Sequence, residues 1–361
     1  KADFYSMDPF HEGGNAGGVD LRKAGEAIMG AMKAVNPNAV WVVQAWGACP
    51  YPSMIKHLKN GDMLVLDLYS ENRPQWGNSE STWYRKEGFN GHDWAFCMLL
   101  NFGGNVGMFG KLQHVVDEYY KARCSSFKST MKGVGLTMEG IENNPVMYEL
   151  MSELPWRDAK FSWKEWLHDY VEARYGNINN GKVHDAWLLL ARSVYGAGAK
   201  VVEQGCHESV LCARPALDVY QVSSWSEMEE FYNPDDVIRA ARLMVEASHE
   251  VKANDNFRYD LVDVTRQAIA EQARYVYDEV VAAYKAKDRK MFDYTTKRFL
   301  DILLQQDRLL SSMPDFMVGG WIRSARNLGQ NEQERNHYEW NARVQITTWG
   351  NRSAAESGGL R

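Results

Sequence analysis

The chain has 361 residues, of which 45% are hydrophobic and 24% are charged, so it has enough apolar material for one large or two medium globular domains and is too hydrophobic to be disordered. Its net charge of -6, with Lys and Arg scattered among acidic residues, argues against nucleic acid as a partner. The longest apolar stretches are strand-sized and fall short of the roughly 20 residues that a membrane helix needs, so no membrane span is predicted.

Up to about residue 150, short apolar runs alternate with helical stretches. The runs lie at 39–46, 62–70, 93–102 and 132–139, and their nearly continuous apolar character is typical of strands buried on both faces of a parallel sheet. Helical patterns at 20–35, 52–59 and 111–124 separate several of them. This alternation predicts βα units.

Polar and aromatic residues stand where each predicted strand ends. They are Gln44 and Trp46, then Asp67, Tyr69 and Glu71, then Asn101, and finally Glu139. The segment before the first helix, "DPFHEGGNAGG", adds Asp8, His11 and Glu12. A (β/α) barrel collects its active residues at the carboxyl ends of its strands, so these positions are the candidate site.

After about residue 160 the pattern becomes helical. Apolar residues of 162–175 fall on one face of a helix, and Asn233 and Pro234 form a typical helix start. Two further long helical stretches follow, at 259–287 and 296–312. The fold class is therefore α/β followed by all-α: part of a TIM-type (β/α) barrel over residues 1–157, and an α-helical domain over 158–361.

Five cysteines form no CxxC pair and no Cys/His cluster at zinc spacing, and most are expected to be buried free thiols. Cys206 and Cys212 are the one local pair that could join. His207 has neither a second histidine nor an acid at ligand spacing in the sequence. No metal site is therefore predicted.

Glu12 and Glu139 are 127 residues apart, yet a barrel brings such strand ends to one pocket. Two carboxyl groups that flank one bond are the apparatus of glycoside hydrolysis, where one protonates the leaving oxygen and the other attacks the anomeric carbon or activates water. Structural carboxylates near strand ends are the competing interpretation.

Aromatic residues give a second indication. The chain has 13 Trp and 18 Tyr, and flat rings stack on the apolar face of a pyranose. Trp46 and Tyr69 are the candidate sugar platforms. His11 and Asn101 could bind sugar hydroxyls, although a loop contact for the histidine and a turn cap for the asparagine are the structural alternatives.

Nine strings, in the expected order, resemble the α-N-acetylglucosaminidases of glycoside hydrolase family 89. They are "DPFHEGG", "VWVVQAW", "LVLDLYSE", "CMLLNFGGNVGMFG", "MEGIENNPVMYELMSEL", "RSVYG", "CARPAL", "FRYDLVDVTRQA" and "QITTWG". The resemblance implies a barrel followed by a helical domain, and a retaining exo-hydrolase that releases terminal α-linked N-acetylglucosamine by double displacement without a cofactor.

Carried over by motif, the resemblance makes Glu12 the general acid/base and Glu139 the nucleophile. The two carboxyl groups would then lie roughly 5–5.5 Å apart, as in retaining glycosidases generally. It places Trp46 in the sugar pocket, and three further residues look like pocket wall: Leu68, Leu99 and Phe102. His207 stands one place from a pocket histidine of the family, and His11 replaces a common asparagine.

The family has a small N-terminal domain and several barrel strands before the acid/base glutamate, and a further C-terminal stretch. We therefore expect residues 1–160 to form an incomplete barrel. A companion segment that completes the barrel, or a homo-oligomer, is a partner hypothesis beside the glycan with terminal α-linked N-acetylglucosamine. The expected location is secreted or periplasmic for a bacterial protein and lysosomal for an animal one.

Two alternatives stay open. One is a hydrolase for a related α-N-acetylhexosamine, and the other is a non-catalytic glycan-binding protein on the same fold. The natural glycan, a heparan-type fragment or an α-N-acetylglucosamine cap on mucin, is also open.

Overall fold

The structure is a computed structural model. It describes residues 2–12, 14–102, 105, 107–140, 143–198, 205–220, 222, 230–251 and 254–347. These divide into two units. The first comprises the described residues of Lys1–Phe102 and Lys111–Trp163 with Gly198, and the second those of Gly103–Gly110, Lys164–Ala197 and Gln204–Arg361.

The first unit is built on one parallel sheet whose spatial order follows the chain. Its strands are β1 Phe4–Ser6, β2 Val40–Ala45, β3 Met63–Asp67, β4 Asp93–Met98 and β5 Met131–Leu136. The last four confirm the strands predicted from the apolar runs. β1 is only three residues long, too short to leave a hydrophobic run in the sequence.

Burial differs from strand to strand. Five consecutive residues of β4 are buried, as expected for a strand covered on both faces. In β2 and β3 every second residue is only half-buried, and no residue of β5 is buried. The prediction of strands buried on both faces is thus correct for β4, only partly correct for β2 and β3, and wrong for β5, which lies at the edge of the sheet with a neighbour on one side only.

The helices of the first unit pack beside this sheet. They are α1 Leu21–Val35, α2 Pro52–Ile55, α3 Leu112–Cys124 and α4 Pro145–Glu153. Asp20 caps α1 by accepting a hydrogen bond from the Lys23 amide at 3.2 Å. The predicted helix over 52–59 is wrong in length, since the chain leaves α2 through a turn in which the Leu58 amide bonds the Ile55 carbonyl.

Among the described residues up to 160, the sheet has five strands with β1 and β5 at its two edges. These strands do not close into an eight-stranded barrel. The incomplete barrel is confirmed for this part of the chain.

The second unit is helical. Its helices are α5 Trp163–Tyr175, α6 Gly181–Arg192, α7 Pro234–Ala247, α8 Asp255–Lys285, α9 Arg289–Leu310, α10 Val318–Arg326 and α11 Glu332–Gln345. The predicted start of α7 is confirmed, with the Asn233 side chain accepting from the Asp235 amide and Pro234 in the first turn. The predicted apolar face of α5 is buried at Trp166, Leu167, Tyr170 and Val171.

A buried polar stripe runs along α8, formed by Asp260, Asp263, Gln267 and Glu271. Asp260 accepts two hydrogen bonds from the Arg174 guanidinium, at 2.5 and 2.9 Å. Gln267 accepts from the Met108 amide at 3.2 Å, and Glu271 accepts from the Tyr232 hydroxyl at 2.7 Å. Buried polar groups of this kind are stable only when they have partners.

None of the five cysteines forms a disulfide bond. Cys49, Cys97 and Cys206 are buried, whereas Cys124 and Cys212 are exposed. Throughout the described residues, every helix is too short or too polar to span a bilayer.

Candidate active site

All five strands point the same way, so the segments that follow them emerge at the same end of the sheet, where the strands have their carboxyl termini. Glu12 follows β1, and Glu139 follows β5. Both glutamates are exposed, and both follow strands that end on this side of the sheet. The topology therefore puts the predicted pair at the carboxyl ends of parallel strands, and their separation of roughly 5–5.5 Å stays a prediction.

The segment that carries His11 and Glu12 is fixed to β2. Asp8 accepts hydrogen bonds from the Gln44 amide at 2.6 Å and from the Gln44 side chain at 2.8 Å. Phe10 and Glu12 both have a left-handed backbone, with φ of 61° and 45°. Non-glycine residues rarely adopt this conformation, and where they do the residues are often functional. His11 is half-buried, and its Nε2 is enclosed without a hydrogen-bond partner among the described residues.

Four aromatic rings form a cluster at the carboxyl-terminal end of the sheet: Trp46, Tyr69, Trp83 and Phe102. Trp46 stacks on Tyr69 with ring centroids 5.9 Å apart, and Trp83 meets Trp46 edge to face at 4.7 Å. Phe102 lies 6.0 Å from both Trp46 and Tyr69. Three of these residues were predicted from the sequence. Trp83 was missed because the loop that carries it shows no periodicity.

A buried polar chain supports the tyrosine. The Asn72 amide group bonds the Tyr69 hydroxyl, and the Lys111 ammonium donates to the Asn72 side-chain oxygen. Lys111 is buried just before α3. Because each group is held by the next, the Tyr69 ring has a fixed position in the cluster.

Asp67 and Glu71 are buried, and their carboxyl groups accept hydrogen bonds from backbone amides of the loops. The Oδ2 atom of Asp67 accepts from the amides of Gln75 at 2.9 Å and Trp76 at 3.2 Å. Burial is the main cause that raises the pKa of Asp67 to about 7. These contacts give Asp67 a structural role, one that its position at a strand end does not reveal.

The Glu71 carboxylate holds the turn after β4. Its Oε1 accepts from the amides of Leu99 at 3.0 Å and Leu100 at 2.8 Å, and Leu100 has a left-handed backbone with φ of 66°. Burial is again the main cause that raises the pKa of Glu71 to about 7. Glu71 thereby positions the segment that leads to Asn101 and Phe102.

The predicted wall residues Leu68 and Leu99 are buried at the ends of β3 and β4. The Thr137 hydroxyl bonds the Leu68 carbonyl at 2.9 Å, which ties the segment before Glu139 to the end of β3. Asn101 is buried, and its side-chain amide donates to Asn143 at 3.4 Å.

His207 belongs to the helical unit, where the fold gives it partners that sequence spacing did not predict. Its Nε2 lies 3.6 Å from Glu271 Oε2 and 3.9 Å from Glu230 Oε1. Burial opposes ionisation of Glu271, but the nearby His207 imidazole and hydrogen bonds from Tyr232 and Gln267 outweigh it and hold the pKa of that carboxyl below its usual value. His207 and Gln267 border a cavity of about 540 Å³ within the unit, lined also by Cys206 and Cys212.

Two groups of described residues have donor atoms close enough to hold a metal ion. One is His207 with Glu230 and Glu271, and the other is His168 with Glu172 and His184. In the first group, Arg274 forms an ion pair with Glu230 at 3.0 Å, so that carboxylate already has a cation.

Two family profiles cover the chain. The profile of the alpha-N-acetylglucosaminidase (NAGLU) tim-barrel domain matches residues 1–158, and that of the NAGLU C-terminal domain matches residues 166–361. The chain is 35% identical over 341 residues to the alpha-N-acetylglucosaminidase of Homo sapiens, covering 91% of this chain and 44% of the human protein.

Solved structures agree with the profiles. The family 89 glycoside hydrolase from Clostridium perfringens in complex with PUGNAc is 33% identical with a TM-score of 0.89, and the match covers 99% of this chain and 40% of that one. A double glutamate-to-glutamine variant from the same organism, in complex with its substrate GlcNAc-alpha-1,4-galactose, is 32% identical with the same TM-score and coverage. The chain thus spans less than half the length of these relatives. The chain belongs to the alpha-N-acetylglucosaminidase family, glycoside hydrolase family 89.

Proposed function

We propose that the protein is a retaining exo-glycosidase that releases terminal α-linked N-acetylglucosamine from glycans. The observation that carries the proposal is the position of Glu12 and Glu139 after parallel strands of a family 89 barrel unit. The relative solved in complex with its substrate GlcNAc-alpha-1,4-galactose carries two glutamate-to-glutamine changes, which supports a role for two carboxyl groups. We propose residues 1–157 as the barrel portion and 158–361 as the helical domain.

In the proposed mechanism, the Glu12 carboxyl protonates the glycosidic oxygen while the Glu139 carboxylate attacks the anomeric carbon. The bond to the leaving group breaks, and a covalent glycosyl-enzyme forms with inverted configuration. Glu12, now ionised, then takes a proton from water, whose oxygen displaces Glu139 and restores the original configuration. Carboxylates and water account for both steps, so the reaction uses no cofactor.

The aromatic cluster is the proposed sugar-binding surface. Trp46 is half-buried, and its ring is proposed to stack on the apolar face of a pyranose, with Phe102 and Trp83 beside it. Tyr69 is only 2% exposed, so its proposed part in sugar binding is to stack on Trp46 and hold that ring in place. His11 and Asn101 are proposed to bind sugar hydroxyls. Leu68 and Leu99 are proposed to complete the wall, and the substrate-binding role of His207 stays a prediction from the family resemblance.

The test is hydrolysis of a chromogenic α-N-acetylglucosaminide by this chain in its full-length context. We propose that the full-length protein is secreted or periplasmic if it is bacterial and lysosomal if it is animal. We expect Glu139→Ala to abolish turnover and azide to rescue it as the β-glycosyl azide, because azide then attacks the anomeric carbon once with inversion. Glu26→Gln, on the exposed surface of α1, is the matched control and should keep full activity.

Glu12→Gln separates the two roles. It should slow glycosides with poor leaving groups by about 10²–10⁴-fold and affect the chromogenic substrate less, because a good leaving group needs little protonation. Binding of the sugar without turnover would instead favour the non-catalytic alternative. Turnover of a different α-N-acetylhexosamine would favour the related hydrolase.

A further inference from the structure

A second cluster of side chains lies on α5 and α6, within the helical unit. His168 and Glu172 are one turn apart on α5, and His184 is near the start of α6. The ligand atoms of all three residues lie within 4.8 Å of one another. None of these residues has a role in the proposed hydrolysis.

The three side chains already contact one another. Glu172 Oε1 lies 2.5 Å from His184 Nε2, and its carboxylate also accepts from the Asn179 amide at 3.2 Å. The rings of His168 and His184 stack with centroids 4.4 Å apart and an interplanar angle of 9°. Little movement is therefore needed to turn two nitrogens and one oxygen toward a common point.

We propose that His168, Glu172 and His184 bind one divalent transition-metal ion of the Zn²⁺ class, which bridges α5 and α6. Two imidazoles and one carboxylate are a ligand set that Zn²⁺ commonly uses, with bonds of about 2.0–2.2 Å. The ion takes the place of the hydrogen between Glu172 and His184, and each imidazole binds it through a nitrogen that carries no hydrogen.

The surroundings favour a cation. Glu165 and Asp169 add two carboxylates beside the cluster against one ammonium from Lys164, and Asp169 Oδ1 lies 3.7 Å from His168 Nδ1. The two histidines also border a cavity of about 460 Å³, which has room for water ligands to complete the coordination.

The other cluster suits a metal less well. There the nearest imidazole-carboxylate distance is 3.6 Å, and Arg274 neutralises Glu230. The cluster on α5 and α6 has two imidazoles in place of one, and within the part of the chain that the structure describes none of its three side chains forms an ion pair with an arginine.

The test is titration of the metal-free protein with ZnCl2 by calorimetry and with CoCl2 by visible absorption. We expect one equivalent to bind, and His168→Ala and His184→Ala each to weaken binding at least tenfold. Glu172→Gln keeps an acceptor for His184 and removes only the charged ligand, so it should weaken binding with the helices intact. His249→Ala, an exposed histidine after α7, should change nothing.

Circular dichroism and thermal unfolding of each variant show that the helices are kept. No Zn²⁺ binding by the folded wild type would overturn the proposal. So would binding that survives all three changes on α5 and α6, or binding that His207→Ala removes instead.

Discussion

Replacing Glu71 by glutamine is expected to remove part of the pH dependence of stability. Burial raises the pKa of Glu71 from a usual 4.5 to about 7 in the folded protein. Between these values the folded state keeps a proton that the unfolded state has lost, so stability is highest below the lower pKa and falls as pH rises. At 1.36 kcal/mol per pH unit, the loss attributable to Glu71 is about 3 kcal/mol.

Urea unfolding, followed by tryptophan fluorescence from about pH 4.5 to about pH 7.5, measures this loss. The free energy of unfolding of the wild type should fall by about 3 kcal/mol more than that of Glu71→Gln over this range. Burial also raises the pKa of Asp67 to about 7, so Asp67 lowers the free energy of unfolding as pH rises in both proteins. This contribution cancels in the comparison. Glu153→Gln, a change in a partly exposed ion pair, is the control. Parallel curves for wild type and Glu71→Gln would refute the reasoning.

Three further changes test other parts of the structure. Asp260→Ala leaves the buried Arg174 without its carboxylate and should lower the free energy of unfolding by about 3–5 kcal/mol in urea titration; a loss below about 1 kcal/mol would contradict this. Gly25→Ala places a Cβ 2.3 Å from a carbonyl oxygen of α2 and should cost about 1–3 kcal/mol, whereas Gly30→Ala, in open space on the same helix, should be stabilising by thermal melting. If the proposed function holds, Trp83→Ala should raise KM about fivefold by loosening the aromatic cluster, and an unchanged KM would remove Trp83 from the sugar surface.

The strands of the barrel unit could be predicted because burial in a parallel sheet requires long apolar runs. β4 shows this best, with five consecutive buried residues. The same reasoning located Trp46 and Tyr69, since both stand directly after such runs. β1 and Trp83 were missed for the opposite reason: a three-residue strand and an aperiodic loop leave no pattern.

The contacts that hold the site together could not be predicted. Glu71 bonds amides 28 and 29 residues away, and Asp8 bonds Gln44 across 36 residues. Such pairs are set by tertiary packing and leave no spacing in the sequence. For the same reason the sequence spacing around His207 did not predict Glu230 and Glu271 as its partners, although the fold brings both to it.

The polar stripe of α8 has a consequence for folding specificity. This helix has 31 residues and is about 46 Å long, and its apolar surface alone would allow it to slide past its neighbours by one turn. A slide of about 5.4 Å would separate Asp260 from Arg174 and Glu271 from Tyr232, leaving buried charges unpaired. The stripe therefore makes every misaligned packing costly, so that one register of the long helix is strongly preferred.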